Sequence, residues 1–449
     1  MDAKVNLKNN IYIILRMGLF TFIFLGTEYL YVDLLSQILV PNETVVLAQN
    51  YALGASTIGF LLYPIFNRLL SNHFKKIGLL LIGFISTCGL VLMTSSFTFA
   101  IGLLLFLILG ILGSGVYYHS MCMMETNQYL ARVVGISYFL GIMLQFLSNN
   151  LIQSKVIQSI LLSISLLILI IFLIKNRPIS LHEEKRAQKS NTVGIILIIL
   201  IALMTCMFST LDNAVTLVHA GGHMDIGQWP RILLALSGLV SGFIFDLQNR
   251  RYMGITMYCI MVLSTICIAV LKFAGPFTLG LMIFYLSAGF FAVFFITAFM
   301  EIARYMKVPE LWAGMGRAIN NIIAAIIASP VLVLLSSNSN LSVIILILVL
   351  FVAVSIVSVI YTVQKNNFIK KQTTEVIDEK EKIRRFSELY SLTERESEVF
   401  DHLVNTEDSI QVIAENLYVS KRTLERYVSA IYEKTGVKSR IGLLNLYNK

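Results

Sequence analysis

Residues 391–449 read SLTERESEVFDHLV (391–404), NTED (405–408), SIQVIAENLYVS (409–420), KRTLERYVSAIYEKTGV (421–437) and KSRIGLLNLYNK (438–449). The spacing predicts four short helices. Thr393 is placed to cap the first, Glu394 and Glu396 favour its positive end, and Val399, Phe400 and Leu403 supply an apolar stripe. Ile410, Ile413, Ala414 and Leu417 form the buried face of the second. After the turn Tyr418-Val419-Ser420, Ser420 caps a third helix in which Leu424, Val428 and Ile431 face inward, with Tyr432 beside them. Lys421, Arg422, Glu425, Arg426 and Ser429 are left on its opposite face. Gly436 ends that helix as a left-handed cap, and Arg440 to Tyr447 form the fourth. Two helices joined by a tight turn, the second presenting long polar side chains, have helix-turn-helix geometry.

Everything before this module has a different composition. The 449-residue chain is 57% hydrophobic and 14% charged, against roughly 25% charged in a soluble globular domain. About twelve apolar runs of membrane-crossing length follow one another. Six lie near 11–32, 47–67, 77–95, 98–118, 133–152 and 156–174, and six near 193–213, 229–247, 253–271, 277–300, 314–335 and 341–361. Between the sixes runs the polar stretch from Lys175 to Thr192. The first run is too long for the apolar core of a signal peptide and no small-residue cleavage site follows it. The expected fold class is therefore all-α: a polytopic bundle of 6+6 spans, the layout of a two-lobed transporter, followed by a small four-helix domain. The domains fall at 1–361 (halves 1–174 and 193–361, loop 175–192), a charged linker at 362–388, and 389–449.

Lys and Arg set the expected orientation. With the N-terminus inside, the inner loops hold Arg68, Lys75, Lys76, Arg132, Arg250, Arg251, Arg304 and Lys307 among others, and the outer loops only Lys155 and Lys272. The even span count also puts the C-terminal module in the cytoplasm, so the expectation is a multi-pass protein of the cell membrane with both termini cytoplasmic.

The C-terminal module resembles the LuxR-type (NarL/FixJ-type) DNA-binding domain. The matching residues are Leu392-Thr393-Glu394-Arg395-Glu396 with Val399, then Ile413-Ala414, Val419-Ser420, Thr423-Leu424, Ile431-Tyr432, Lys434, Gly436-Val437 and Ser439-Arg440. The resemblance implies a third helix that enters the major groove of duplex DNA and a fourth that mediates homodimerisation. By position it assigns base reading to Glu425, Arg426 and Ser429, and phosphate contact to Lys421, Arg422 and Thr423. Glu425 and Tyr427 stand where the family usually has a basic residue and often a histidine, and the turn from Asn405 to Ser409 lacks the usual glycine.

In the apolar part, Gly242, Asp246, Arg250 and Arg251 resemble the gating-loop motif of the major facilitator superfamily, between the eighth and ninth spans where that family repeats it. The loop between spans two and three, expected to hold the stronger copy, has Asn67-Arg68 and Lys75-Lys76 but no acid. That reads as a degraded gate, as if transport had given way to sensing.

Ionisable residues inside spans mark candidate sites, because a charge in lipid is costly. Glu28 lies in the outer third of span one, Asp212 and Asn213 near the outer end of span seven, and Arg231 at the outer start of span eight. If spans one, four, seven and ten line a cavity, as in the major facilitator arrangement, these four form a ligand pocket, with Tyr29, Tyr31 and Trp229 nearby. Glu301, Arg304 and Arg317 read as a cytoplasmic gate. His119 with Met121, Met123 and Met124 sits at a helix end and reads as packing, not metal binding.

No nucleophile elbow, phosphate loop, zinc pattern or catalytic carboxylate pair occurs, so neither enzymatic chemistry nor a cofactor is expected. The expected function is a membrane-bound one-component transcription regulator, with a small molecule, duplex DNA and the bilayer as partners. The whole layout is similar to membrane-embedded LuxR-type regulators. A secondary transporter with a regulatory tail is the alternative.

Overall fold

Long apolar segments in lipid must satisfy their own backbone hydrogen bonds, and here they do so as helices. The computed structural model describes residues 2–69, 72–92, 97–124, 129–175, 191–222, 225, 228–274, 277–336, 340–406 and 408–447, and every regular element among them is helical. Two compact units divide the chain, the first ending at Gln364 and the second beginning its main part at Lys365.

The first unit contains α1 (Asp2–Ser36), α2 (Asn42–Leu69), α3 (Asn72–Leu92), α4 (Thr98–Met123), α5 (Leu130–Leu151) and α6 (Lys155–Lys175). A second set follows: α7 (Thr192–Ala220), α8 (Trp229–Phe245), α9 (Met253–Ala274), α10 (Phe277–Ala303), α11 (Pro309–Ser336) and the first part of α12 (Asn340–Leu389). Ten helices among the described residues are long and apolar enough to cross a membrane, and shorter apolar helices run over Trp229–Phe245 and Met253–Ile266. The predicted loop at 175–192 lies, apart from its ends, outside the described residues.

Burial sorts these helices. Only 17% of the apolar window of α3 and 22% of that of α12 is buried, against 61% for α2, α4 and α10. Apolar side chains such as Leu80, Phe84, Leu348 and Val359 are exposed on the poorly buried helices, as side chains facing lipid are. The central helices approach closely where small residues allow it. A Cβ on Gly59 of α2 would stand 1.9 Å from the Leu107 carbonyl of α4, so only glycine permits that crossing.

Helix α12 departs from the expected linker. It continues unbroken to Leu389, through residues read as a connecting segment. No Gly or Pro interrupts 340–389, and Lys, Glu and Arg are good helix formers. Glu381 lies 3.2 Å from Arg384 and 3.3 Å from Arg385, pairs worth a few tenths of a kcal/mol each.

The second unit packs the end of α12 against α13 (Glu394–Asn405), α14 (Ile410–Asn416), α15 (Lys421–Thr435) and α16 (Arg440–Tyr447). Phe400, Leu403, Ile413, Leu424, Ile431 and Leu443 are fully buried in one core. Phe386 of α12 joins it: its ring stacks on Phe400 with centroids 4.4 Å apart, and Tyr447 meets both rings edge-on. The module's core thus begins before residue 389. Thr393 and Glu396 close a capping box on α13, while Ser409 and Ser420 cap α14 and α15. Gly436 has φ 69°, the left-handed conformation expected of it.

The turn after α13 needs no glycine. Thr406 ends that helix in extended backbone at φ −125°, ψ 160°. The Arg440 guanidinium then gathers the exposed carbonyls, with Leu403 O at 2.8 Å, Asp408 O at 2.6 Å and Thr406 O also bonded.

Candidate functional site

The exposed surface of α15 follows from the burial of its other face. Leu424, Val428 and Ile431 fill the core, which leaves Lys421, Arg422, Glu425, Arg426 and Ser429 exposed on α15 and Thr423 half-buried. Thr423 is committed to the helix start, with its N–H donated to Ser420 Oγ at 3.1 Å and its hydroxyl 2.7 Å from the same oxygen. The Ser429 hydroxyl donates to Glu425 O at 2.9 Å. The Lys421 ammonium stands 3.9 Å from the Glu425 carboxylate, leaving Arg422 and Arg426 as the extended cations of the face. At the preceding turn Tyr418 is 95% exposed with φ 55°. The sequence reading gave it no role. A large ring held out of the core in a left-handed turn beside the cationic helix start adds a stacking and hydrogen-bonding group to this surface.

Beneath the face, Lys434 Nζ lies 2.6 Å from Glu396 Oε2, which also accepts the Thr393 N–H at 2.7 Å. Burial alone would raise the Glu396 carboxyl. The Lys434 and Thr393 hydrogen bonds outweigh it and hold the group below its ordinary value.

In the first unit three residues of the predicted gating motif, Gly242, Asp246 and Arg250, meet in one network. Asp246 caps α5, accepting the backbone N–H groups of Ala131 at 3.2 Å and Arg132 at 2.8 Å. Arg250 bridges Asp246 at 3.0 Å and Glu301 of α10 at 3.1 Å. To return its guanidinium under α8 the chain places Gln248, Asn249 and Arg250 at φ 46°, 54° and 63°. Each such residue costs roughly 1 kcal/mol, a strain sustained by the buried ion pairs. A Cβ on Gly242 would stand 2.7 Å from Ala131 O, so α8 and α5 touch backbone to backbone. Arg251 stands apart, its guanidinium 5.6 Å from the Tyr252 ring centre.

The expected gate of Glu301, Arg304 and Arg317 does not assemble, because each finds a different partner. Glu301 takes Arg250. Arg304 donates to the carbonyls of Met121 and Met124, both at 2.5 Å, at the end of α4. Arg317 lies in the cavity described below. The loop between α2 and α3 has no acid of its own, but Glu310, at the start of α11, lies 2.9 Å from Arg68 at the end of α2. The two six-helix halves are therefore clamped at this end through α2–α11, α4–α10 and α5–α8. His119 packs its ring 5.9 Å from that of Tyr118.

Between the halves lies a cavity of about 160 Å³, bounded by α1, α2, α5, α7, α8, α10 and α11. Glu28, Asp212 and Arg231 all line it, as do Arg317, Gln49 and Asn320. Asn213 does not. It is buried and its Oδ1 accepts from Asn50 Nδ2 at 3.0 Å, because a step of one residue turns a helix by about 100°. Glu28 accepts from Gln49 Nε2 at 2.8 Å, and the Thr205 hydroxyl lies 3.2 Å from Asn320 Oδ1. Phe208 and Phe291 stack at 4.7 Å on the wall. At the end away from the clamp, the Tyr29 hydroxyl donates to Asp225 at 2.9 Å and Lys155 pairs with Asp33 at 2.5 Å. Tyr31 is buried against α4, where a Cβ on Gly102 would meet its ring, so it packs and does not face the cavity. Arg317 and the amides were missed because α11 read as a gate helix. The available signal was the polar run Arg317, Asn320, Asn321 at helical spacing.

Comparison with known proteins divides the same way. Residues 390–446 match the model of the bacterial regulatory proteins, luxR family. No curated protein matches the sequence. The first unit is similar to solved transporters. One is the major facilitator transporter FucP in its outward conformation, with TM-score 0.55 and 10% identity over 80% of this chain and 99% of that one. Another is the proton:xylose symporter XylE bound to 6-bromo-6-deoxy-D-glucose, with TM-score 0.54 and 11% identity over 82% and 97%. A third is the human organic anion transporter TETRAN, with TM-score 0.53 and 14% identity over 81% and 99%. This chain therefore joins a multi-pass membrane domain with the major facilitator fold to a LuxR-type helix-turn-helix DNA-binding domain at residues 390–446.

Proposed function

We propose that the protein is a membrane-bound one-component transcription regulator that senses a small molecule in its first unit and binds DNA through α15. The observation that supports this most is the pairing, in one polypeptide, of a charged cavity between two transporter-like halves with a DNA-binding domain whose cationic helix face is exposed. A ligand that binds one arrangement of the halves more tightly than the other shifts their equilibrium. That shift changes the exposure or pairing of the DNA-binding domains. Arg422 and Arg426, with Lys421, are the cations for phosphate and base edges. Pairing through α16, where Ile441 is 71% exposed, would make the domain a homodimer. The excess of Lys and Arg at the clamp end supports a cytoplasmic position for that end and for both termini.

The test is a transcriptional reporter driven by DNA upstream of neighbouring genes, in cells supplied with candidate inducers. The regulator reading requires an inducer response that Asp212→Asn blunts and Arg426→Ala abolishes. A response that survives Arg426→Ala defeats it.

A second reading, a secondary transporter with a regulatory tail, is favoured by one observation: the clamp is intact, since Glu310 supplies the acid that the α2–α3 loop lacks. Substrate flux in vesicles that persists after removal of everything beyond Val363 would select it.

A further inference from the structure

The cavity contains charges that its own walls do not neutralise in place. Arg317 is the clearest case. It is 8% exposed, and its guanidinium carbon lies 5.2 Å from the Phe24 ring centre and 5.4 Å from that of Phe295. Its Nε has no hydrogen-bond partner, its polar neighbour is the neutral Tyr117 hydroxyl, and it forms no ion pair with a carboxylate among the described residues. Burying a guanidinium without a counter-charge costs several kcal/mol, of which each aromatic face returns about 2 at most. Such a group facing a cavity is completed by an incoming anion.

The other end of the cavity has the opposite excess. Asp212 lines the cavity together with Glu28 and Arg231, so two carboxyl groups share one guanidinium. Glu28 has only the neutral Gln49 amide at hydrogen-bond distance among the described residues. The lining charges sum to zero, two acids against two arginines, but they are separated lengthwise.

Helix geometry sets the separation. The Thr205–Asn320 contact marks one level on α7 and α11, which both run away from the clamp. Asp212 is seven residues beyond Thr205, and Arg317 three residues before Asn320, a difference of about 15 Å at 1.5 Å per residue. The Arg317 side chain reaches toward Phe24, one turn or about 6 Å below Glu28, so the charge centres lie on the order of 10 Å apart. Aromatic rings, among them Phe208, Phe291 and Phe295, wall the interval.

Resting on the reading of this cavity as the ligand site, we propose that its ligand is a small elongated zwitterion, with the acid group against Arg317 and the ammonium toward Glu28 and Asp212. A neutral ligand would leave both ends unpaired, and a plain anion or cation would leave one.

The test uses the full-length protein in nanodiscs and four probes on one six-carbon chain: 6-aminohexanoate, hexanoate, hexylamine and 1,6-hexanediol. The expected result is a dissociation constant for 6-aminohexanoate at least about tenfold below the other three, one lost charge pair costing roughly that factor. Arg317→Gln should bring it to the level of hexylamine. Asp212→Asn, at an accessible side chain, should bring it to the level of hexanoate, and this arm stands even if the buried arginine variant fails to fold. Equal binding of 1,6-hexanediol or hexanoate, binding of none of the four, or an unchanged preference in Asp212→Asn overturns the proposal. A reporter that stays silent while the zwitterion preference holds defeats the sensor reading alone. A reporter that responds to a neutral inducer, with this preference absent, defeats the ligand class alone.

Discussion

The DNA-binding domain and the central cavity are built on opposite plans. The six residues proposed to face DNA all sit on α15, within nine positions of one another, and the exposure of all but the half-buried Thr423 follows from the burial of Leu424, Val428 and Ile431 on the other side. The cavity draws Glu28, Gln49, Asp212, Arg231 and Arg317 from five helices, with 289 positions between first and last. In the domain, a substitution is felt through one helix. In the membrane unit, function and stability depend on partners that only packing supplies.

The largest effect expected from that difference lies in the clamp. Asp246→Ala removes the anion beside the buried Arg250 guanidinium and uncaps α5. Breaking one partner of a buried pair costs about 3–5 kcal/mol, so the melting temperature of the purified protein should fall sharply. Asp246→Asn, which retains acceptor capacity for the Arg132 N–H, should lose less. Equal melting of the two variants would mean that packing through Gly242, not the ion pairs, joins the halves.

The domain's boundary is the next point of contrast. A fragment from residue 381 should outlast one from residue 391 by about 2–4 kcal/mol in denaturant, the cost of removing a large buried aromatic side chain, because Phe386 completes the core. Identical midpoints would restore the boundary at 389.

On α15 itself, Arg426→Ala should cost about 1–3 kcal/mol in specific binding and relax preference at one base position. Lys421→Ala should weaken binding to all sequences similarly and reduce its salt dependence. If the two variants behave alike across a panel of duplexes in gel-shift assays, the division of roles on this face is wrong.

The smallest effect is a pH dependence confined to the domain. Glu396 is held below its ordinary value of 4.5. A carboxyl depressed on folding stabilises fully above its unfolded value, and the contribution disappears as pH falls through the folded one. Acid melts of the 381 fragment should therefore lose stability as pH falls below the ordinary carboxylate range. Glu396→Gln should flatten that segment of the profile.

Local sequence made much of the molecule legible. Apolar length marked the helices of the membrane unit, since a lipid-embedded chain has few alternatives to helix. Ser420, Gly436 and the stripe of Leu424, Val428 and Ile431 marked α15 and its outward face, because a soluble amphipathic helix declares its buried side through its period. Phe386 escaped notice because it lies among Lys, Glu and Arg.

Tertiary structure decided what periodicity leaves open. Helix α4 is apolar on every face, so nothing in its sequence marks the side turned to protein. Asp212 and Asn213 are both polar and adjacent, yet one lines the cavity and the other bonds Asn50 of α2. Arg68 looked unpaired until folding brought it Glu310 from 242 positions away. Arg317 looked like a gate until Phe24 and Phe295 held it at the cavity. In each case the identity of the residue set how much a partner was needed. Only the packing of one helix against another determined which partner came within reach.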